Sequence, residues 1–237
     1  MPYRRLPNTD QARIRALKAV VAKLDTSDLY DLAVSLKTLT EARNFLIRFE
    51  AAQSYYAQCL ERQSQAGRKH QANVKMARLY VSHFIQVLNL AVIRSELRVA
   101  HKAYYGLPAD SMNVPDLSTE VALIDWGRKI IDGEVRRISQ GGIPIYNPTI
   151  AKVRVHYDIF IDSYDKQKNL QSLTARSLET LAAMRTTADE LILDIWNQVE
   201  RKFETVSPNG KRLDLCRDYG VVYYYRTGEK QKEESDE

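Results

Sequence analysis

Ala183-Met184-Arg185-Thr186-Thr187-Ala188-Asp189-Glu190-Leu191-Ile192-Leu193-Asp194-Ile195-Trp196 is the stretch that decides the fold. Leu181, Met184, Ala188, Leu191, Ile195 and Val199 recur at steps of three or four residues. Such steps draw one stripe down an α-helix. Leu178, Ile192, Trp196 and Phe203 widen the stripe to a broad apolar face. A face that wide needs more than one partner helix, so residues 176–205 read as the spine of a bundle.

The rest of the chain agrees with an all-α class. Its 237 residues are 44% hydrophobic and 27% charged, with only nine glycines and seven prolines. Few breakers favour long helices over many short strands. Residues 1–110 carry 17 Lys and Arg against 9 Asp and Glu, and residues 111–237 carry 18 against 21. The basic front half points weakly to nucleic acid, because its charges are dispersed rather than gathered on one face. Cys59 and Cys216 lie far apart and form neither a disulfide framework nor a zinc signature. The first ten residues hold no apolar signal region, and the near-apolar run 84–93 is too short to span a bilayer. A cytoplasmic location without membrane association is expected.

Breakers and caps then place the elements. Pro7-Asn8-Thr9-Asp10 starts a short first helix, and Asp25-Thr26-Ser27-Asp28 stops it and caps the next. The second helix is expected over 29–65, a turn at Gly67, and the third helix over 69–105, ended by Gly106-Leu107-Pro108. A fourth helix covers 116–139. Gly127 and Gly133 inside it each cost about 1 kcal/mol against alanine, so each needs a packing reason or a kink. Gln140-Gly141-Gly142 ends it, and Asn147-Pro148 reads as the start of the next helix. Residues 149–205 hold no glycine or proline, yet a single helix of that length is rare, so a turn is expected within 166–176. The expectation is an antiparallel bundle of about six helices including two long helical hairpins, 29–105 and 149–205. The bundle is a single domain over 1–206, followed by a C-terminal extended or β segment over 207–227 and a disordered tail over 228–237. Val221-Val222-Tyr223-Tyr224-Tyr225 is the strand of that segment. It needs a partner: Arg212–Cys216 as a hairpin arm, another chain, or a groove across the bundle. The alternative for 212–216 is a last helical turn ended by Gly220.

Little in the sequence carries chemistry. No histidine has a glutamate three residues before it, as a di-iron bundle would need. Phosphate loops, nucleophile elbows and paired-cysteine motifs are missing. The densest polar and aromatic group is Trp126, Glu134 and Arg137, with Arg137 able to offer a forked donor to an anion or a carboxylate. Asn147 borders that region, and Tyr223 and Tyr225 lie on the expected strand, which puts one face outward. These six residues are the candidate binding positions. Neither a catalytic residue, a metal nor a cofactor is expected.

Leu123-Ile124-Asp125-Trp126-Gly127, Gly141-Gly142-Ile143-Pro144-Ile145-Tyr146-Asn147-Pro148, Ala188–Ile192 through Trp196 and Glu200, and Asp218-Tyr219-Gly220-Val221-Val222-Tyr223 together resemble uncharacterised all-helical bacterial proteins. That resemblance implies a bacterial source and brings no activity. The leading expectation is a non-enzymatic helical interaction or scaffold protein with a protein partner or self-association. The alternatives are a nucleic-acid binder using the basic front half, and a small-ligand protein or enzyme with a site near Trp126, Glu134 and Arg137.

Overall fold

The structure is a computed structural model and describes residues 2–26 and 30–225. Among these, six helices and one two-stranded sheet form an all-α fold with a short extended segment. Helix α1 is Asp10–Thr26, α2 is Leu36–Ile93, a 3₁₀ helix follows at Val99–Tyr105, α3 is Glu120–Ser139, α4 is Ile150–Lys202 and α5 is Asn209–Asp218. Strand β1, Tyr3–Arg4, pairs antiparallel with β2, Tyr223–Tyr224.

The expected turn at Gly67 is absent, as is the one within 166–176. Each supposed hairpin is one helix: α2 runs for 58 residues and α4 for 53. A glycine in a helix is a cost to be offset by packing, whereas a turn requires the backbone bonds to break. A Cβ at Gly67 would meet only the side-chain end of Gln167, at an ordinary van der Waals distance of 3.4 Å, so nothing in the packing breaks the helix there. The polar run 165–169 is simply a solvated stretch of α4. Helix α2 also starts later and ends earlier than expected. Ser35 caps it, accepting from Thr38 N at 3.2 Å. The cap expected at Ser27-Asp28 lies outside the described residues. At the far end Ser95 takes a left-handed φ of 61°, and Glu96 N closes back on the Ala91 carbonyl at 2.9 Å. The start of α4 likewise shifts from Asn147-Pro148 to Thr149, whose carbonyl accepts from Val153 N at 3.1 Å.

The chain divides into two compact units. Unit 1 is Met1–Cys59 with Thr174–Glu237, and unit 2 is Leu60–Leu173. Both long helices contribute a segment to each. In unit 1 the core joins Ile14, Leu17 and Val20 of α1, Leu39, Phe45 and Phe49 of α2, and Leu181, Ile192, Ile195, Trp196 and Val199 of α4. The stripe from Leu181 to Val199 is therefore buried as its spacing predicts, with Met184 half-buried, whereas Leu178, expected to widen it, is exposed. Arg13 donates twice to Asp189 at 2.8 Å, and Arg185 donates twice to Asp10 at 2.8 Å. In unit 2 the core joins Val81, Phe84 and Leu88 of α2, Tyr105, Leu123 and Ile130, and Val153 and Phe160 of α4.

The segment 207–227 is not wholly extended. Arg212–Cys216 lies in α5, which resolves the open choice in favour of helix. The tyrosine strand finds its partner inside the chain: Tyr3 faces Tyr224, and Arg4 faces Tyr223. Residues 226–227 and the tail expected over 228–237 lie outside the described residues.

Candidate functional site

In unit 2, the end of α3 and the loop after it form a buried, densely hydrogen-bonded polar cluster. Gly141 stops α3 with a left-handed φ of 89°, a conformation glycine adopts without steric cost. Gly142 N then donates to the Arg137 carbonyl at 3.1 Å. A Cβ on Gly142 would fall 2.7 Å from that same oxygen, so the loop can fold this closely only with glycine there. The fold brings two candidates, Glu134 and Arg137, together on α3, both buried. Arg137 Nε donates to Glu134 Oε2 at 2.9 Å, and Nη2 to Glu134 Oε1 at 2.9 Å.

The pair faces inward to protein partners. Arg137 Nη2 also donates to the Ile143 carbonyl at 2.8 Å, and Ile145 N donates to Glu134 Oε1 at 3.0 Å. Tyr105, from the 3₁₀ helix, donates its hydroxyl to Glu134 and accepts from Arg137 Nε at 2.7 Å. Burial first, and then the Glu134 carboxylate, hold the Tyr105 phenol above its ordinary pKa. A buried ion pair is tolerable when its remaining lone pairs and protons are met. Here all are met except Arg137 Nη1, which is buried beside Gly142 without a partner. The cluster is a clamp. It fixes the backbone of 143–145 while the side chains of Ile143 and Tyr146 stay 74% and 73% exposed.

The other candidates stand apart from the clamp. Trp126 precedes Glu134 by eight residues, about 12 Å along the helix. It is half-buried, with Lys129 Nζ 4.7 Å above its ring. Asn147 is exposed. Tyr223 and Tyr225 are half-buried in unit 1. The Tyr223 hydroxyl donates to Glu200 Oε1 at 2.8 Å while Arg4 donates to Glu200 Oε2 at 3.0 Å, so one carboxylate pins both strands to α4. A cavity of about 420 Å³ there is lined by Glu200, Arg201, Glu204, Arg212, Cys216 and Tyr223. Burial pushes the Cys216 thiol up, away from the thiolate that nucleophilic work requires.

Sequence reasoning missed two features of unit 2. One is His70, buried, with Nδ1 2.9 Å from Ser163 Oγ and Nε2 3.0 Å from Glu120 Oε1. This resembles an acyl-transfer triad in composition only. Ser163 donates to its own helix at the Phe160 carbonyl, 2.8 Å away, and the ring nitrogens are used in the opposite sense. Its residues lie on three different elements, so no local spacing announces it. The other feature is the outward side of α2. Met76, Leu79, Leu90 and Ile93 are 40%, 56%, 49% and 61% exposed. With His83 and Gln86 they form a stripe at steps of three and four, opposite the buried stripe Val74, Ala77, Val81, Phe84, Leu88 and Ala91. The signal was present as apolar residues left over once the core stripe is assigned.

Two general properties bear on what these sites can bind. Five front-half bases are taken up by acids: Arg4 by Glu200, Arg13 by Asp189, Lys18 by Glu50, Lys23 by Asp218 and Arg94 by Glu96. Helix α2 contains an 18-residue window apolar enough to cross a membrane, and 44% of that window is buried inside the protein. Among the described residues, no group of three or more His, Cys, Asp or Glu is placed to hold a metal ion. Comparison with protein families, curated proteins and solved structures finds no match to this chain.

Proposed function

We propose that this chain is a non-enzymatic helical scaffold that self-associates through the outward side of α2 in unit 2. The observation that carries the reading is the stripe of Met76, Leu79, Leu90 and Ile93, exposed at the spacing by which helices pack on helices. Four large apolar side chains in one line are more than the scattered single exposures of an ordinary surface. The polar clusters support the same reading from the other side. Glu134 with Arg137, and His70 with Glu120 and Ser163, are spent on fixing a loop and a helix start. The nucleic-acid alternative has fewer bases to draw on once the intramolecular ion pairs are formed.

Sedimentation velocity over a wide concentration range tests it. The wild-type chain is expected to shift to a larger species as concentration rises, and Leu79→Glu with Leu90→Glu to stay monomeric with an unchanged circular dichroism spectrum. A wild-type chain that sediments as a monomer throughout would reject the reading.

A further inference from the structure

We infer that the groove between α1 and β2 in unit 1 binds a small organic oxyanion, a carboxylate or phosphate carried on a flat apolar body. This site lies within one unit of one chain and needs no second copy.

Three short stretches build the groove. On α1, Ala12, Arg15 and Ala16 fall at steps of three and four and share one face. On the strand side, Val222 and Tyr224 are two residues apart and share one face of the extended backbone. The connector 5–9 lines the rest, and Arg5 N donates to the Val222 carbonyl at 3.2 Å. Gly220 comes so close to α1 that a Cβ on it would fall 3.1 Å from the Ala16 carbonyl oxygen. The small side chains of Ala12 and Ala16 leave the space beside them open, and the cavity measures about 530 Å³. That volume is of the size small-molecule sites have.

The charge in the groove has one sign. Arg5 and Arg15 line it, and no Asp or Glu does. Among the described residues neither arginine forms an ion pair, whereas their neighbours Arg4 and Arg13 are held by Glu200 and Asp189. The nearest acid in sequence, Asp10, is turned to Arg185, which donates to both its oxygens at 2.8 Å. Two guanidiniums beside one cleft with no counter-charge raise its positive potential, and the apolar walls focus it. Each guanidinium is a planar fork that matches a carboxylate or a phosphate. Arg5 stands 5.6 Å from the centroid of the Tyr224 ring, which ties that charge to the strand side.

The apolar lining selects the rest of the ligand. Val222 and Tyr224 are 40% and 43% exposed beside the charges. An inorganic ion would leave that surface in water, whereas a flat apolar body covers it. A nucleic-acid backbone takes a row of bases, and this groove offers two.

Isothermal titration of the full chain with benzoate and with phenyl phosphate tests the site. One or both are expected to bind, more tightly than acetate and inorganic phosphate, which lack the ring, and more tightly than benzamide, which lacks the charge. Arg5→Gln with Arg15→Gln is expected to weaken binding by roughly tenfold or more. Both side chains are exposed, so the circular dichroism spectrum should not change. Lys37→Gln with Arg43→Gln removes the same charge from exposed positions on α2 and is expected to leave binding intact. Ala12→Leu keeps both arginines, fills the groove from a half-buried position and is expected to weaken the ringed probes. Binding that survives the loss of Arg5 and Arg15, or that falls equally in the α2 control, would overturn the site. Benzamide binding as well as benzoate would overturn the anion, and inorganic phosphate binding as well as phenyl phosphate would overturn the organic body. A chain that takes up neither ringed probe at millimolar concentration would remove the proposal, and self-association, read by sedimentation, would be untouched.

Discussion

Arg137 donates from Nη2 to the carbonyl of Ile143 at 2.8 Å, six residues further along the chain. That single bond joins a buried ion pair on α3 to the backbone of the loop that leads into α4. The guanidinium and the Glu134 carboxylate neutralise each other, and together they fix the loop at Ile143 and Ile145.

The first prediction follows from this pairing. Arg137→Met leaves the Glu134 carboxylate buried against Tyr105 and Ile145 with its countercharge gone. Breaking one side of a buried pair costs about 3–5 kcal/mol. The double change Glu134→Leu with Arg137→Met removes both charges and should lose less than the single change. Urea denaturation of the three variants checks the order. A double variant less stable than Arg137→Met alone would show that the clamp contributes net stability beyond charge neutralisation.

Two helical glycines should respond to alanine with opposite signs. A Cβ at Gly133 would fall 2.6 Å from the Tyr104 carbonyl oxygen and 2.7 Å from Tyr105 Cδ1. Backbone at that distance cannot yield cheaply, so Gly133→Ala is expected to destabilise by about 1–3 kcal/mol. A Cβ at Gly67 meets only the flexible end of Gln167 at 3.4 Å. Gly67→Ala is expected to stabilise by about 0.5–1 kcal/mol through helix propensity. Thermal melts of both variants check the signs, and a loss at Gly67 would argue that the helix needs a break there after all.

Stability should fall in alkaline solution. The Tyr105 and Tyr223 phenols are both held above their ordinary value, by burial first and then by Glu134 and Glu200. The folded chain thus keeps these protons more tightly than the unfolded chain. Their contribution is complete below the ordinary tyrosine value of about 10 and is lost as pH rises through and above it. Cys216 acts in the same direction, raised chiefly by burial. Unfolding midpoints measured from neutral to strongly alkaline pH are expected to stay level and then drop. Tyr105→Phe with Tyr223→Phe should flatten the drop, and an alkaline limb unchanged in that variant would count against the assignment.

His70 should act as a local tie. It bonds Ser163 on α4 at 2.9 Å and Glu120 at the first position of α3 at 3.0 Å. Each bond is worth about 1 kcal/mol. His70→Ala is expected to speed amide hydrogen exchange in the first turn of α3 more than at the α3 C-terminus. Uniform acceleration along α3 would indicate general destabilisation instead.

Much of this was legible locally. Helix class, the core stripe through 181–199, the Thr9 start, the Gly141 stop and the extended tyrosines all follow from spacing and from the conformational range of single residues. The clamp was half legible: Glu134 and Arg137 lie three residues apart on one face, but Tyr105 lies 29 residues away from Glu134. The elements around them carry no local mark of that meeting.

The sequence by itself therefore determined that the described chain folds as helices, which sides of them are apolar, and that residues 223–224 are extended. Those are properties of neighbouring residues, set by side-chain periodicity and backbone sterics. Only the tertiary structure decided that α2 and α4 run unbroken through Gly67 and through 166–176, because that choice depends on what packs beside them. It likewise decided that Tyr223 pairs with Arg4, that Asp189 answers Arg13, and that the second apolar stripe of α2 is left facing outward. Each depends on segments far apart in the chain meeting, and no local pattern encodes such a meeting.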